Sequence, residues 1–306
     1  MLAHGDALSL NQKSPTHLPI GGVLSLSFLC LLWGANMVSI KVSNQGISPI
    51  LAATVRSMVA SFLLWGYATA VREKVFLPSG LTRHGVAIGF LFGVEFLFLY
   101  WGFQFTDASR AVIFLYTQPV WTAVLAHLLL PDDRLALSKA AGVILSVAGL
   151  CLVFGSNPGQ LGSNHWVGDL MEVAAGFLWA ATTIYIKRFV WNTSITHFQT
   201  LFSQLFFSIP VLCLGFVLLE WGAPVSLTPP VVAALFYQTV IVAFASYLGW
   251  FWLLHRYQAS RLSAFTFLTP LFGVILSGLL LGEPLTLYLW IGLGLVAGGI
   301  YLVNRG

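Results

Sequence analysis

Trp33 to Lys41 reads WGANMVSIK, and Trp179 to Lys187 reads WAATTIYIK. The Trp-to-Lys spacing is the same, and Ala35/Ala181 and Ile40/Ile186 coincide as well. A longer echo accompanies it. WGFQFTDASRAVIFLYTQPVWTAVLAHLLL (Trp101 to Leu130) aligns without a gap on WLLHRYQASRLSAFTFLTPLFGVILSGLLL (Trp252 to Leu281). Trp101/Trp252, the Ala-Ser-Arg triplets at 108–110 and 259–261, Pro119/Pro270 and the terminal leucines fall in register. The chain is an internal duplication, and a repeat must be recognised before any fold is assigned.

Composition fixes the solvent. The chain is 58% hydrophobic and 8% charged, where soluble domains carry roughly 25% charged residues. A helix crosses the hydrocarbon core with about 20 apolar residues, and most of the chain falls into stretches of that kind. It is a polytopic membrane protein. The net charge of +4 belongs to loop residues that set topology, and it implies no nucleic-acid partner. Cys30, Cys151 and Cys213 lie far apart in apolar runs, form no CxxC and suggest no metal site.

Ten spans are expected, over 20–43, 50–71, 84–105, 109–130, 138–155, 168–190, 196–219, 230–254, 259–281 and 285–303. Breakers such as Pro49, Pro131, Pro224, Pro229 and Pro284 separate them. Residues 1–19 read as a flexible polar tail without the pattern of a signal peptide. The first repeat is then 20–155, the connecting loop 156–167, and the second repeat 168–303. Lys and Arg concentrate on the cytoplasmic side of membrane proteins. With both termini in the cytoplasm, 11 of the 14 basic residues fall on that side. Lys41 and Arg110 are left at the outer edge, and Arg56 lies inside span 2. Because five is odd, the two repeats insert in opposite senses. The fold class is all-α, two inverted five-helix repeats, a transporter architecture whose site lies near the midplane between the halves.

WGANMVSIK, ISPILAATVRSMVASFLL (Ile47 to Leu64), the proline-containing fourth span and LGEPLT (Leu281 to Thr286) together resemble the EamA family of the drug/metabolite transporter superfamily. The resemblance covers about residues 20 to 303. It implies a central cavity lined by the first four helices of each repeat, and transport of small metabolites, amino acids among them, often outward. One departure is LLPDDRL (Leu129 to Leu135), which stands where the second repeat has LLGEPLT. Asp132 there aligns with Glu283.

Several residues are candidates for the site. Trp33 and Trp179 sit mid-span, away from the interfacial belts that tryptophan favours. They either pack with an internal hydrogen bond or stand on the cavity wall. Asn36 and Thr183, on the same faces, bond solute or glue helices. Arg56 is costly in a membrane, on the order of 3 kcal/mol. Glu95, the carboxylate expected deep in a span, is its natural partner, and Gln204 is its approximate repeat mate. Three roles compete for this pair. They form a structural ion pair; or Arg56 receives a substrate carboxylate; or Glu95 couples protons, since burial favours a neutral carboxyl.

Lys41 and Lys187 end their spans either as snorkelling anchors or as gates. The conceivable partners are Asp107, Asp169 and Glu172 outside, and Asp132 and Asp133 inside. Gln118-Pro119 and Thr269-Pro270 interrupt spans 4 and 9. Tyr100, Trp101, Gln104, Tyr116 and Trp121, with Tyr237, Gln238, Tyr247 and Trp250, form polar-tipped aromatic sets that suit an amphipathic solute. Gly89-x-x-x-Gly93 and Gly294-x-x-x-Gly298 permit close helix approach, and monomer and homodimer both stay open.

No P-loop, zinc-ligand spacing or Gly-x-Ser-x-Gly elbow appears, so no enzyme and no cofactor are expected. The reading is a secondary transporter of the inner or plasma membrane. It exports a small metabolite, an amino acid or related amphipathic solute, by alternating access, with proton coupling at Glu95 open. The rivals are a flippase for lipid-linked substrates and a binding or scaffold protein that does not transport.

Overall fold

A computed structural model describes residues 18–102, 104–106, 108–155, 164–190, 193–281 and 285–305. The described residues are helical and contain no strand. Ten helices are long and apolar enough to cross a membrane. They are α1 (Ile20–Ser43), α2 (Pro49–Ala70), α3 (Thr82–Gly102), α5 (Leu137–Phe154), α7 (His197–Leu219) and α10 (Leu287–Arg305), together with four that depart from a regular helix. Of these, α4 is split into Ala108–Leu115 and Gln118–Leu129, and α9 into Ala259–Phe265 and Leu268–Leu281. The third, α6 (His165–Tyr185), continues as a wide π turn, Ile186–Val190. The fourth, α8, runs from Pro229 to Leu254 with a π-helical middle, Tyr237–Ser246.

Local chemistry explains the ends. Proline opens α2 and α8, where its missing N–H costs nothing. A capping box closes the start of α7: Thr196 and Gln199 each accept the other's backbone N–H. The two splits fall at 116–117 and 266–267, just ahead of Pro119 and Pro270. A proline has no N–H for the carbonyl four residues back, here Leu115 and Thr266. Both breaks therefore sit where the duplicated sequence puts them.

The packing carries the duplication into three dimensions. Helix α3 packs on α6 and α7, and its counterpart α8 packs on α1 and α2. Helix α4 lies against α6, as α9 lies against α1. The pairs α2–α7 and α5–α10 map onto themselves. Exchanging each helix for the one five places on reproduces the contact pattern, as two inverted repeats about a two-fold axis require. Large apolar side chains such as Leu24, Phe62, Leu218 and Leu279 face outward, the surface that lipid solvates.

Close approach uses one of the two expected glycine pairs. A Cβ on Gly89 would lie 2.4 Å from the Phe207 side chain, and one on Gly93 2.7 Å from Val211, so this pair seats α3 on α7. The pair in α10 is corrected. Gly294 has nothing within 4 Å, and Gly298 meets only the tip of Leu145. The tight contact belongs to Gly292 and Gly299, where an added Cβ would lie 2.8 Å from the Gly149 carbonyl oxygen and 2.4 Å from the Gly142 carbonyl oxygen. Residues seven apart return to one helix face, while 294 lies on another.

Candidate functional site

A cavity of about 520 Å³ lies between the halves. Its walls come from α1 to α4 and α6 to α9, and α5 and α10 contribute nothing to them. Its upper rim holds Lys41, Asn44 and Gln104, all exposed. They end or follow α1 and α3, so the cavity reaches the face opposite the two termini. Its floor is formed by Ile186, Phe251 and Leu254, near the terminal side.

Ten of the expected wall residues meet here. Trp33, Asn36, Arg56, Glu95, Tyr100, Gln104, Tyr116, Trp179, Thr183 and Gln204 all line the cavity. Trp33 also makes the internal bond that a buried indole requires: Nε1 donates to Ser246 Oγ at 2.9 Å. Its ring meets Tyr247 and Trp250 edge-on. Trp179 meets Tyr116 in the same manner. For Trp33 the two readings are thus compatible, while Trp179 stands on the cavity wall with no indole hydrogen bond among the described residues.

Arg56 is 2% exposed. Its guanidinium lies over the Phe96 ring, 4.5 Å from the centroid, a cation–π arrangement. Nε and one terminal nitrogen make no hydrogen bond among the described residues. Glu95, 6% exposed, shares the cavity, yet no ion pair within 4 Å joins the two among the described residues. Glu95 is not the one buried carboxylate of the helices. Glu172 of α6 is 0% exposed. It is wedged against Gly102, where an added Cβ would lie 2.7 Å from its Oε1.

Other expected residues hold helices together. Gln118 Nε2 donates to Thr122 Oγ1 at 2.9 Å and to Ser263 Oγ at 3.3 Å, tying the two broken helices. Tyr237 donates to the Leu32 carbonyl at 3.0 Å, and Gln238 to Ser43 Oγ at 2.8 Å. Trp121 packs edge-on against Phe177 of α6, whereas Trp101 meets only the ring of Phe105, four residues on in its own segment, among the described residues. None of these five lines the cavity. Phe92, Phe96, Thr182 and Thr269 line it and were not anticipated as wall residues. The two phenylalanines share a helix face with Glu95 and Tyr100, but that face is not marked as cavity or lipid by their own chemistry.

The terminal side is shut by a buried polar layer. Asp133, 3% exposed, accepts from Lys139 Nζ at 2.8 Å, from the Ser260 backbone N–H at 2.9 Å and from the Ser260 hydroxyl. Gln258 donates to the Asp132 carbonyl and accepts from Arg261 Nε at 2.7 Å. Arg261 also donates to the Asn304 carbonyl at 2.8 Å. Lys187, 7% exposed, joins this layer near Asp133, so it is not the snorkelling anchor that sequence allowed. His255 bonds Thr200 at 3.1 Å. Burial, then the charges of Lys187 and His197, pull its imidazole down to about 3.

On the opposite side Asp169 accepts from Arg110 and from Thr106 Oγ1. Glu220 accepts the backbone N–H groups of Ile50 and Leu51 at 3.0 and 3.2 Å, closing the start of α2. Asp107, Ser109's side chain, Glu283, Pro284, Lys13 and the linker residues 156–163 lie outside the described residues.

The sequence profile of the EamA-like transporter family matches residues 20–155 and again 166–305. This chain belongs to that family. A probable amino-acid metabolite efflux pump of Escherichia coli is 29% identical, covering 92% of this chain and 93% of that protein. The uncharacterized transporter YoaV of Bacillus subtilis is 23% identical over 92% of this chain and 94% of its own length. A solved crystal structure superposes with a TM-score of 0.75 at 18% identity, over 90% of this chain and 94% of that one, which shows the fold. Family, relatives and ten membrane-spanning helices make this a multi-pass membrane transporter of small solutes.

Proposed function

We propose that the protein is a secondary exporter of a small amphipathic solute bearing a carboxylate, an amino acid or a close relative. It works by alternating access in the inner or plasma membrane, with both termini cytoplasmic. On that orientation the cavity opens outward. The observation that carries the reading is Arg56. A buried guanidinium on a cavity wall, with two nitrogens making no hydrogen bond, is left at a cost that an incoming carboxylate removes through paired, charge-assisted bonds. The aromatic walls from Trp33, Trp179, Tyr247 and Trp250 suit the apolar part of such a solute. Glu95 stands on the same cavity wall, and in this reading it carries the coupling proton. The efflux activity in the name of the Escherichia coli relative agrees with outward transport.

The test is uptake and counterflow in proteoliposomes, using a mixed pool of radiolabelled amino acids with and without a pH gradient. Arg56→Gln should weaken the apparent affinity for carboxylate solutes at least about 30-fold, as loss of one member of a buried charge contact does. Glu95→Gln should abolish the response to the pH gradient. Undiminished flux in Arg56→Gln would sink the carboxylate reading. Flux in wild type that ignores the gradient would make the protein a facilitator and remove Glu95 from coupling.

A further inference from the structure

The layer that closes the terminal side hangs on one carboxylate. Asp133 belongs to the α4–α5 loop of the first repeat, and Ser260 opens α9 of the second. The Asp133 carboxylate takes both the backbone N–H and the hydroxyl of Ser260. It thus caps the first turn of α9 from across the repeat boundary, where a negative charge meets the positive end of the helix. A second strand of the same tie is Gln258, which donates to the Asp132 carbonyl. Lys139, one turn into α5, sits between the two strands, bonded to Asp133 at 2.8 Å and to Gln258 at 3.4 Å.

We propose that Asp133 is the latch of the terminal-side gate, and that release of Ser260 from it is the step that opens the cavity to that side. This rests on the transport reading above. Three observations carry the choice of residue. The contact joins the two repeats, which are the bodies that must move apart in alternating access. It lies directly beyond the cavity floor at Ile186 and Leu254, on the side the cavity does not reach. And Asp133 is the carboxylate that Lys139, itself 3% exposed, bonds, so without it Lys139 is left as a buried charge short of a counter-charge, which draws water in. Among the described residues its partners in the tie have less leverage. Ser260 and Gln258 are neutral, and Arg261 ends on the Asn304 carbonyl within its own repeat.

The test needs no knowledge of the solute. In full-length protein with the three native cysteines replaced by alanine, Thr182→Cys places one thiol in the cavity. Membrane-impermeant maleimide is applied to oriented vesicles from each face. With Asp133 intact, the thiol should label from the face opposite the termini and slowly from the terminal face. Asp133→Asn should raise the terminal-face rate by about tenfold or more, as breaking one side of a buried pair does, and lower the opposite-face rate. Ser260→Ala, which keeps the backbone N–H and removes the hydroxyl alone, should move both rates the same way by a smaller factor. If Asp133→Asn fails to yield monodisperse protein, Ser260→Ala carries the test. Unchanged rates from both faces in well-folded variants would overturn the latch. Failure of the transport reading would look different. The rates would shift as expected while no solute moved in any proteoliposome assay.

Discussion

Lys41 and Lys187 occupy the same place in the two repeats and live in different surroundings. Lys41 is exposed at the mouth of the cavity. Lys187 is buried in the layer around Asp133. The sequences around them, WGANMVSIK and WAATTIYIK, do not differ enough to dictate this. The difference lies in which face of the molecule each reaches, one open and one shut. Two copies of one fold held in unlike environments are what an alternating carrier needs, because exchanging those environments reverses the opening without a new fold. On the proposed transport cycle, that difference would place the conformational state in the polar residues at the ends of the repeats and not in the helix core they share.

Substitutions can break that comparison. The largest effect is expected in the shared framework, where state should not matter. Gly89→Ala drives a methyl into Phe207, including its backbone, and should cost about 3 kcal/mol as overpacking does. Gly294→Ala meets open space and should be neutral or stabilising by up to about 1 kcal/mol from helix propensity. Unfolding in mixed detergent micelles would separate the two, and equal effects would contradict the assigned α3–α7 contact.

The lysines come next. Lys187→Ala removes a buried side chain beside Asp133 and should cost about 2 kcal/mol, while Lys41→Ala should stay within about 0.5 kcal/mol. Thermal midpoints of the purified variants measure this. Similar shifts in both would mean that the two ends are less different than their burial indicates.

The shut face should also be the acid-sensitive one. With its folded pKa at about 3 against an ordinary 6.5, His255 binds fewer protons folded than unfolded between those values. Its contribution is whole above pH 6.5 and is lost as pH falls toward 3. The thermal midpoint should drop on going from pH 7.5 to 5, and less so in His255→Gln. The smallest effect is expected at the tryptophans. Trp33→Phe loses the bond to Ser246, worth about 1 kcal/mol. Trp179 makes no such bond among the described residues, so Trp179→Phe should shift stability less while both variants alter solute affinity. A stability cost at Trp179 equal to that at Trp33 would argue for a polar partner there that the present state conceals.

Much of this was legible in the sequence. Apolar run length set ten spans, duplication set two repeats, and Pro119 and Pro270 marked the helix breaks, because each of these depends on a local property of the chain. The cavity wall was partly legible. Arg56, Glu95, Trp33 and Trp179 stand out because polar or indole groups inside hydrocarbon need a reason. Phe92 and Phe96 gave no such signal, since a phenylalanine facing a cavity and one facing lipid look alike in sequence. Gln118, Tyr237 and Gln238 gave a false one, since a polar group that glues helices has the same composition as one that binds solute. The closed layer was the least legible. Asp133 and Ser260 are 127 positions apart, and no local property of the chain announces their pairing.

The carboxylate caps carry a consequence for how such a protein arose and is assembled. Glu220 from the second half closes the start of α2 in the first, and Asp133 from the first half closes the start of α9 in the second. A single half made alone would lack the carboxylate that closes one of its helix starts, leaving first-turn amides without that partner. An ancestor with one repeat would have needed another copy, inserted upside down, to supply the missing oxygens. During synthesis, likewise, α2 waits for a residue five helices downstream before its first turn is complete.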